Sequence, residues 1–126
     1  MRQIKFRGRN LDGEWVYGFY VEEERQTLSG FEKKHFIVND GYDYVKPETV
    51  GQYTNRNDKH GVEIYEDDIV KTNRGIGVVR YNAHQWFYEV AEIDEPITNE
   101  RVPGGIPEED WEVLGSIHDN PELLQR

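Results

Sequence analysis

The chain has 126 residues and a formal net charge of −10, with 25 acidic and 15 basic side chains. A chain of this length fits a single domain that buries roughly two thirds of its unfolded surface. The absence of cysteine excludes disulfides and thiolate metal sites. No segment has the features of a signal peptide or of a membrane span, so the sequence predicts a cytoplasmic protein without membrane contact.

The aromatic content and the uneven charge give the first structural expectations. Eight tyrosines, five phenylalanines and three tryptophans, with β-branched residues and glycine, predict a mostly β fold with little helix. Residues 1–88 hold 14 acids and 13 bases, whereas residues 89–126 hold 11 acids and 2 bases. Such an acidic third repels nucleic-acid phosphate. We interpret it as a solvated surface, with a docking patch for a basic partner protein as the alternative.

A hairpin is predicted at the start of the chain. Apolar and basic residues alternate from Ile4 to Arg9, apolar residues recur at every second position from Trp15 to Val21, and Asp12-Gly13 between them is a turn signal. Gly18 predicts a bulge or the close approach of another group. The bases of the first strand are expected to solvate an outer face and protect a sheet edge. The alternative is a weak nucleic-acid stripe that these bases form with the aromatic residues Phe6 and Trp15. These bases are Arg2, Lys5, Arg7 and Arg9.

The next segment predicts a mobile loop and a second, shorter hairpin. Glu22–Gly30 is charged and irregular, which favours the loop. A short strand at His35–Val38 and its return at Tyr42–Val45 enclose the turn residues Asn39-Asp40-Gly41. Pro47 ends the returning strand because proline cannot donate to a ladder.

The stretch from Gly51 to Val70, GQYTNRNDKHGVEIYEDDIV, is read as strand, polar turn and strand. Turn residues are dense between Asn55 and Gly61, and the carboxylates of Glu66–Asp68 interrupt the second strand. Neighbouring side chains on a strand diverge, so we expect these carboxylates to accept hydrogen bonds from turn amides and not to react.

Two further strands and a closing one are predicted after Val70. Residues 76–81 and 86–91 are read as strands, and 111–117 resumes strand character. The polar residues 94–109, with three prolines, predict the longest loop. Asn120 and Pro121 then predict a helical turn on which Leu123-Leu124 dock back.

Several of these runs resemble the YopX family of phage proteins, a family without an assigned biochemical role. The similarity lies in KFRGRN…WVYG at the start, the central run YTNRNDKHGVEIYEDDIV, and VLGSIHDNPELL at the end. It covers the whole length and implies a single domain over 1–126. We expect an N-terminal β-hairpin lobe (about 1–50) joined to a small SH3-like β-barrel lobe (about 51–126). The structural-motif residues of this resemblance are Gly51, Gln52, Tyr53, Asp58, Gly61, Glu63, Ile64, Tyr65, Glu66, Asp68, Ile69 and Val70.

Comparison with the family's usual run also gives a backbone prediction. Asn55 and Asp67 stand where glycine is common in that run. Asparagine and aspartate are the residues other than glycine that best tolerate a left-handed backbone. We therefore predict a positive φ at one or both positions.

No catalytic, cofactor or metal site can be predicted. The four histidines, His35, His60, His84 and His118, are scattered without a metal-ligand spacing. The turn fails as a calcium loop, because placing Gly61 sixth puts Arg56 where a carboxylate is required. Gly75-Ile76-Gly77 is read as part of a hairpin and not as a nucleotide loop.

The resemblance and the lack of catalytic motifs favour a non-catalytic phage or prophage accessory protein that acts by protein–protein interaction, with a basic host or phage protein as a possible partner of the acidic third. The alternatives are a nucleic-acid-binding module that uses the basic first strand, and a metal-assisted hydrolase. We also expect a modest homo-oligomer formed through the first lobe, because the acidic third repels its own copy. An aromatic core is predicted from Phe6, Trp15, Tyr17, Tyr53, Tyr65, Trp86 and Trp111.

Overall fold

The computed structural model describes residues 4–72, 75–82, 85–89, 94–97 and 110–124, without the side chains of 81–97. The described strands pair antiparallel, which confirms the mostly β class. Short 3₁₀ segments lie at Pro47–Thr49, between the fourth and fifth strands, and at Pro121–Leu124, after the last strand. In order, the strands are β1 (Phe6–Arg9), β2 (Trp15–Thr27), β3 (Gly30–Val38), β4 (Tyr42–Tyr44), β5 (Gly51–Asn57), β6 (Glu63–Tyr65), β7 (Asp68–Thr72), β8 (Gly75–Asn82), β9 (Gln85–Glu89), β10 (Asp94–Ile97) and β11 (Glu112–Ser116).

The chain divides into two compact units, Met1–Tyr53 and Thr54–Arg126. In the first unit the strand order is β4-β3-β2-β1-β5. This order places β1 between β2 and β5, so the expectation that its bases protect a sheet edge is wrong. Arg7 of β1 is only 8% exposed, which also contradicts a solvating role for that side chain.

The predicted loop at Glu22–Gly30 is instead the far end of a long hairpin. The pairing of β2 with β3 runs without interruption to Thr27 opposite Gly30. Charged residues of opposite sign face each other across the strands, and the Lys33 Nζ lies 3.5 Å from a Glu22 carboxylate oxygen. A charged segment can form a strand where its charges match those of its partner. The predicted strands at His35–Val38 and Tyr42–Val45 are confirmed as the end of β3 and as β4 with the Val45 bridge.

Gly18 of β2 confirms the predicted close approach. The backbone carbonyl of Val38 occupies the space that a Cβ at Gly18 would need. A side chain at this position would therefore collide with the neighbouring backbone.

The second unit holds β6 beside the end of β5 and a sheet in the order β10-β9-β8-β7-β11. Its buried cluster consists of Ile64, Val70, Val79 and Trp111, and Val113 packs against it. Among the described strands no pairing joins β10 to β11, so the expected barrel is not closed. The sheet remains open because β11 pairs with β7 and not with the far edge.

Other expectations for the second unit are partly corrected. Asp94–Ile97 was expected to begin the long loop but forms β10, paired with β9, and residues 98–109 lie outside the described part. The helical turn at Pro121–Leu124 is confirmed, yet Leu123 and Leu124 are 37% and 41% exposed and do not dock into the core.

The predicted aromatic core is only partly present. Tyr53, Tyr65 and Trp111 are buried, with exposed fractions of 7%, 2% and 2%, but they do not gather in one cluster. Phe6 and Trp15 are half-buried. Tyr17 is exposed, contrary to expectation, and the Trp86 side chain lies outside the description. Phe36, at 2% exposure, was missed.

In the part of the chain that the structure describes, no helix is long and apolar enough to cross a membrane.

Candidate functional site

Two regions are candidates: the carboxylate-rich motif in the second unit and a sheet face in the first.

The motif contains two residues with left-handed backbone, Asn55 at φ 67° and Asp67 at φ 72°. The prediction from the glycine comparison is therefore confirmed at both positions. Asp67 lies in the turn between β6 and β7, whereas Asn55 lies within β5, two residues before its end. The left-handed backbone at each position explains why glycine would also fit there.

Asp58 joins the polar turn to β11. One carboxylate oxygen accepts hydrogen bonds from the backbone N–H groups of His60 and Val62, at 2.8 and 2.9 Å. The other accepts from the Val113 N–H at 2.9 Å. Burial raises the pKa of Asp58, but the bonds from Val113, Val62 and His60 outweigh this effect, so the pKa lies below its usual value. The group is held ionised as an acceptor.

Asp68 and Thr54 satisfy backbone groups of the same motif. The Asp68 carboxylate accepts the Tyr65 N–H at 2.7 Å, although the residue is only 2% exposed. The Thr54 hydroxyl donates to the Ile64 carbonyl at 2.8 Å. Both side chains replace hydrogen bonds that the irregular backbone cannot form by itself.

Asp67 lies in the turn between β6 and β7, and it connects this turn to β8 and to the segment after β11. Its carboxylate accepts from Arg80 Nη1 at 2.7 Å and lies 3.3 Å from His118 Nε2. Its backbone N–H donates to the Val79 carbonyl, and its carbonyl accepts from the Ile117 N–H. The turn is therefore bonded to two neighbouring elements through main chain and side chain.

The structure separates the motif residues that the sequence grouped. Gly51, Gln52 and Tyr53 belong to the first unit, where Gly51 and Gln52 lie opposite residues of β1. The remaining members belong to the second unit, where Glu63 accepts a hydrogen bond from the Tyr65 hydroxyl at 3.0 Å. In that unit Gly61 has φ 81° in the turn, Glu66 is half-buried, and Ile64, Ile69 and Val70 are buried.

The second candidate region is one face of the first unit's sheet, which we name the aromatic face. Its exposed rings are Tyr17, Phe19, Tyr42 and Tyr44, with exposed fractions of 42%, 64%, 60% and 43%. Strand pairing brings them to one side, because Phe19 lies opposite Val38 and Val38 lies opposite Tyr42. Trp15 and Phe36 complete the face.

Five basic side chains lie over rings on the aromatic face. The cation–ring distances are 5.3 Å for Lys5 over Tyr53, 4.5 Å and 5.1 Å for Arg7 and Arg9 over Trp15, 5.1 Å for Arg25 over Phe36, and 5.9 Å for Lys34 over Tyr44. Such contacts are typical of cation–π pairs and hold flexible cations in place. The sequence indicates Arg7 and Arg9 beside Trp15. The pairs of Arg25 with Phe36 and of Lys34 with Tyr44 were not predicted, because each pair joins residues that are distant in the sequence.

The two faces of this sheet carry opposite charge. On the described strands of the first unit, together with Lys5 immediately before β1, the aromatic face holds these five bases and two acids, Glu23 and Glu32. The opposite face holds three acids, Glu22, Glu24 and Asp43, and one base, Lys33. The excess of three positive charges on the aromatic face is hidden in the overall charge of −10.

A groove of about 380 Å³ opens on the aromatic face. Phe19, Tyr17 and Val38 provide apolar walls, and the Asn39 amide at its rim donates to the Tyr17 carbonyl at 3.3 Å. Among the described residues that line it, Lys5 is the only charged one. The groove thus combines apolar surface with a single cation.

A polar cluster lies on the opposite face of the same hairpin. The Tyr20 hydroxyl donates to a Glu22 carboxylate oxygen at 3.0 Å and lies 2.7 Å from His35 Nδ1. Burial and the hydrogen bond to Glu22 raise the pKa of Tyr20 to about 12. The bond from Tyr20 and the charge of Lys33 lower the pKa of Glu22. The cluster keeps the phenol protonated and the carboxylate ionised.

The histidines do not form a metal centre in the described part of the chain. No group of three or more histidine, aspartate or glutamate side chains that could hold a metal occurs among the described residues. His60 lies 3.4 Å from a Glu112 carboxylate oxygen, and His118 contacts Asp67. His84 is outside the description.

Antiparallel sheets, with no long helix among the described residues, define a small, mostly β protein. The chain belongs to the YopX family, described as YopX protein, which matches residues 5–125. No curated protein matches it. It is similar in fold to the crystal structure of protein EF1440 from Enterococcus faecalis, with 20% identity and a TM-score of 0.57. That similarity covers 99% of this chain and 100% of the other.

Proposed function

We propose that the protein is non-catalytic and acts by binding another protein through the aromatic face. The observation that carries this proposal is the exposure of Tyr17, Phe19, Tyr42 and Tyr44 on one side of one sheet. Exposed apolar surface is costly in water, and covering it favours association by roughly 25 cal/mol per Å². Clustered exposed rings are typical of interaction surfaces.

The state of the motif carboxylates supports a binding role over catalysis. Both oxygens of Asp58 accept backbone hydrogen bonds, and Asp68 is buried against the Tyr65 N–H. Groups engaged in this way maintain the fold and are poorly placed to transfer protons to a ligand. We infer that the motif residues from Gly51 to Val70 serve as a structural element of a single domain made of the two units.

The biological setting is also a proposal. Membership of the YopX family supports a phage or prophage accessory protein in the cytoplasm of a bacterial host. Self-association through the first unit is one form that the proposed binding takes, because this unit carries the exposed rings and is nearly neutral in total charge.

One observation favours a second candidate, nucleic-acid binding. Bases and aromatic rings are interleaved on the aromatic face, an arrangement typical of proteins that stack single-stranded bases. It remains second because Arg7 is almost fully buried and the acidic chain opposes a long polyanion.

Sedimentation velocity and capture from bacterial lysate test the proposal together. We expect the wild-type protein to self-associate or to retain a lysate protein after nuclease treatment, and a Tyr17→Ala/Phe19→Ala variant to lose that association. Phe31→Ala is the matched control, because Phe31 is 75% exposed but lies on the opposite face. Equal association of all three proteins contradicts the proposal. Loss of capture on nuclease treatment supports the second candidate instead.

A further inference from the structure

The far end of the β2–β3 hairpin projects beyond the strands that flank it. Among the described residues, β1 pairs with β2 no further than Gly18, and β4 pairs with β3 no further than Phe36. We name the segment beyond them, Glu23–Lys34, the arm. A two-stranded ribbon is only marginally stable in water by itself. The arm therefore gains stability when another surface covers one of its faces.

The tip of the arm and the groove on the aromatic face are both apolar. Leu28 lies in the turn between β2 and β3 and is fully exposed. The groove has apolar walls from Tyr17, Phe19 and Val38. Phe19 lies eight residues before Thr27, the end of β2, which corresponds to about 27 Å at about 3.4 Å per residue. The tip therefore cannot reach the groove of its own chain, whereas the tip of a second copy can.

We propose that the arm of a second copy lies antiparallel across the aromatic face, with its Leu28 against Phe19, so that two copies form a two-fold dimer. This inference rests on the proposed protein-binding function and names a second copy of this chain as the partner. A two-fold arrangement is closed, because each copy contributes one tip and one groove and both are covered.

The charges along the arm are complementary to those of a reversed second copy. On the aromatic face, Glu23 and Arg25 follow each other along β2 and lie opposite Lys34 and Glu32 of β3. Acid and base thus alternate along each strand. A two-fold axis that crosses the arm midway between these two rows places Glu23 of one copy opposite Arg25 of the other. It likewise places Lys34 opposite Glu32, so opposite charges meet throughout.

The charged side chains of the arm are already ordered within one copy. Arg25 lies 3.0 Å from Glu23, Lys34 lies 3.1 Å from Glu32, and both bases lie over aromatic rings. A carboxylate has two oxygens and a guanidinium has five N–H donors, so a pair within one copy leaves capacity for a pair between copies. Ordered side chains also lose less entropy on binding. With two acids and two bases, this face of the arm has no net charge that would repel its copy.

The same axis brings the tip of one copy to the groove of the other. It crosses β2 at Glu24, which lies five residues after Phe19 and four residues before Leu28. Leu28 of one copy therefore falls within about one residue, or about 3.4 Å along the strand, of Phe19 in the other. Charge pairing and apolar contact are thus satisfied in one register. Phe31 lies on the opposite face and takes no part in this contact.

The size of the contact sets the expected affinity. The arm is a ribbon about 27 Å long and about 10 Å wide, which is smaller than the roughly 800 Å² per partner of a standard interface. We therefore expect a dimer that dissociates in the micromolar range.

Sedimentation velocity of two charge variants tests the pairing between copies. Glu23→Arg and Arg25→Glu each bring like charges together in a dimer of identical copies, so we expect each to weaken self-association by at least about tenfold. In an equimolar mixture, a copy with two bases on β2 meets a copy with two acids. We expect this mixed dimer to form with an affinity within about threefold of the wild type.

The mixture distinguishes contacts between copies from contacts within one copy. Both variants lose the ion pair between positions 23 and 25 of the same chain, and mixing cannot restore it. Recovery in the mixture therefore supports the proposal. A mixture that associates no better than either variant alone overturns it.

Leu28→Ser tests the tip. Because Leu28 is fully exposed, the substitution should leave the fold intact, which circular dichroism verifies. We expect self-association to weaken by at least about tenfold. Phe31→Ala, exposed on the opposite face, is the matched control and is expected to associate within about twofold of the wild type. Association of Leu28→Ser equal to that of the wild type overturns the proposal.

Two outcomes separate this inference from the proposed function. A wild-type protein that stays monomeric at millimolar concentration, while Tyr17→Ala/Phe19→Ala abolishes lysate capture, overturns the second copy as the partner and leaves the proposed function in place. Self-association that follows the charge exchange but is unchanged in Tyr17→Ala/Phe19→Ala overturns binding through the exposed rings and, with it, the placement of Leu28.

Discussion

The two units differ in how far their strands bury apolar residues. In the second unit, four of the five residues of β7 are buried, and Ile69 and Val70 have no exposed surface. In the first unit, none of the thirteen residues of β2 is fully buried, and Phe19 is 64% exposed. The second unit encloses a small buried apolar cluster, whereas the first presents rings to solvent. This difference is why we assign stability to the second unit and recognition to the first.

The largest expected effect is the loss of the second unit's core tryptophan. Trp111 is 2% exposed and contacts a cluster of small apolar residues, so Trp111→Ala leaves a cavity that the surroundings cannot fill. We expect the free energy of unfolding to fall by about 3–5 kcal/mol in urea denaturation. A loss below about 1 kcal/mol would show that this cluster is not the stabilising core.

A smaller loss is expected when a side chain is added to β2. Gly18→Ala places a methyl group where the Val38 carbonyl lies, so the β2–β3 pairing must shift. We expect a cost of about 2 kcal/mol, measured by thermal or urea denaturation. Gly41→Ala, at a position open to solvent, is the control and is expected to cost less than about 1 kcal/mol.

Asp58→Asn tests the polar part of the second unit. The amide oxygen can still accept from two backbone groups, but the amide nitrogen cannot accept from the Val113 N–H, which then stays unsatisfied. We expect a loss of about 2 kcal/mol at pH 7 in urea denaturation.

The pH dependence of that loss gives an independent check. The folded pKa of Asp58 is below its unfolded value near 3.8, so its ionised form stabilises the fold above that pH. This contribution disappears as the pH falls through the folded pKa. The stability difference between wild type and Asp58→Asn should therefore be constant near neutrality and shrink below about pH 4. A difference that grows on acidification would contradict the assignment.

Asn55 tests how much the left-handed backbone inside β5 limits the choice of residue. Asn55→Ala places an ordinary side chain at φ 67°, and we expect a loss of about 1 kcal/mol of unfolding free energy. Asn55→Gly removes the steric cost and is expected to lie within about 0.5 kcal/mol of the wild type. Equal losses for both variants would mean that the asparagine side chain, and not the backbone angle, is responsible for the stability that this position contributes.

The smallest effect on stability is expected on the aromatic face. Phe19→Ala removes an exposed ring, so the free energy of unfolding measured in urea should change by less than about 0.5 kcal/mol. The same variant is expected to lose binding. A large loss of stability instead would place Phe19 in a structural role and remove the contrast between the units.

The local parts of the fold could be predicted from sequence. Alternating apolar residues marked β2, and substitution of common glycines marked the left-handed Asn55 and Asp67. The predictions that failed concerned residues whose partners are distant in the sequence. The end of the long hairpin looked like a loop, because the charges that Glu22 and its neighbours meet belong to another strand.

In the candidate sites, too, local contacts could be predicted and contacts with residues distant in the sequence could not. Asp58 three residues before Gly61 is a local turn signal that could have indicated its two nearer hydrogen bonds. Its third partner, Val113, is 55 residues away, and no local pattern points to it. The aromatic face was missed because alternation gives two faces but does not say which is covered. Tyr17 was assigned to the core for that reason and is exposed.

The long-range bond of Asp58 has a consequence for the newly made chain. Because the Val113 N–H is 55 residues further along, Asp58 is synthesised well before its third donor. At ordinary rates of translation that interval is roughly 3–11 seconds. During it, Trp111 is also missing from the buried cluster, so the apolar strands of the second unit have no cover. The second unit can therefore complete its buried cluster only after Trp111 and Val113 have been synthesised. Until then, chaperones that hold exposed strands have a defined period in which to act.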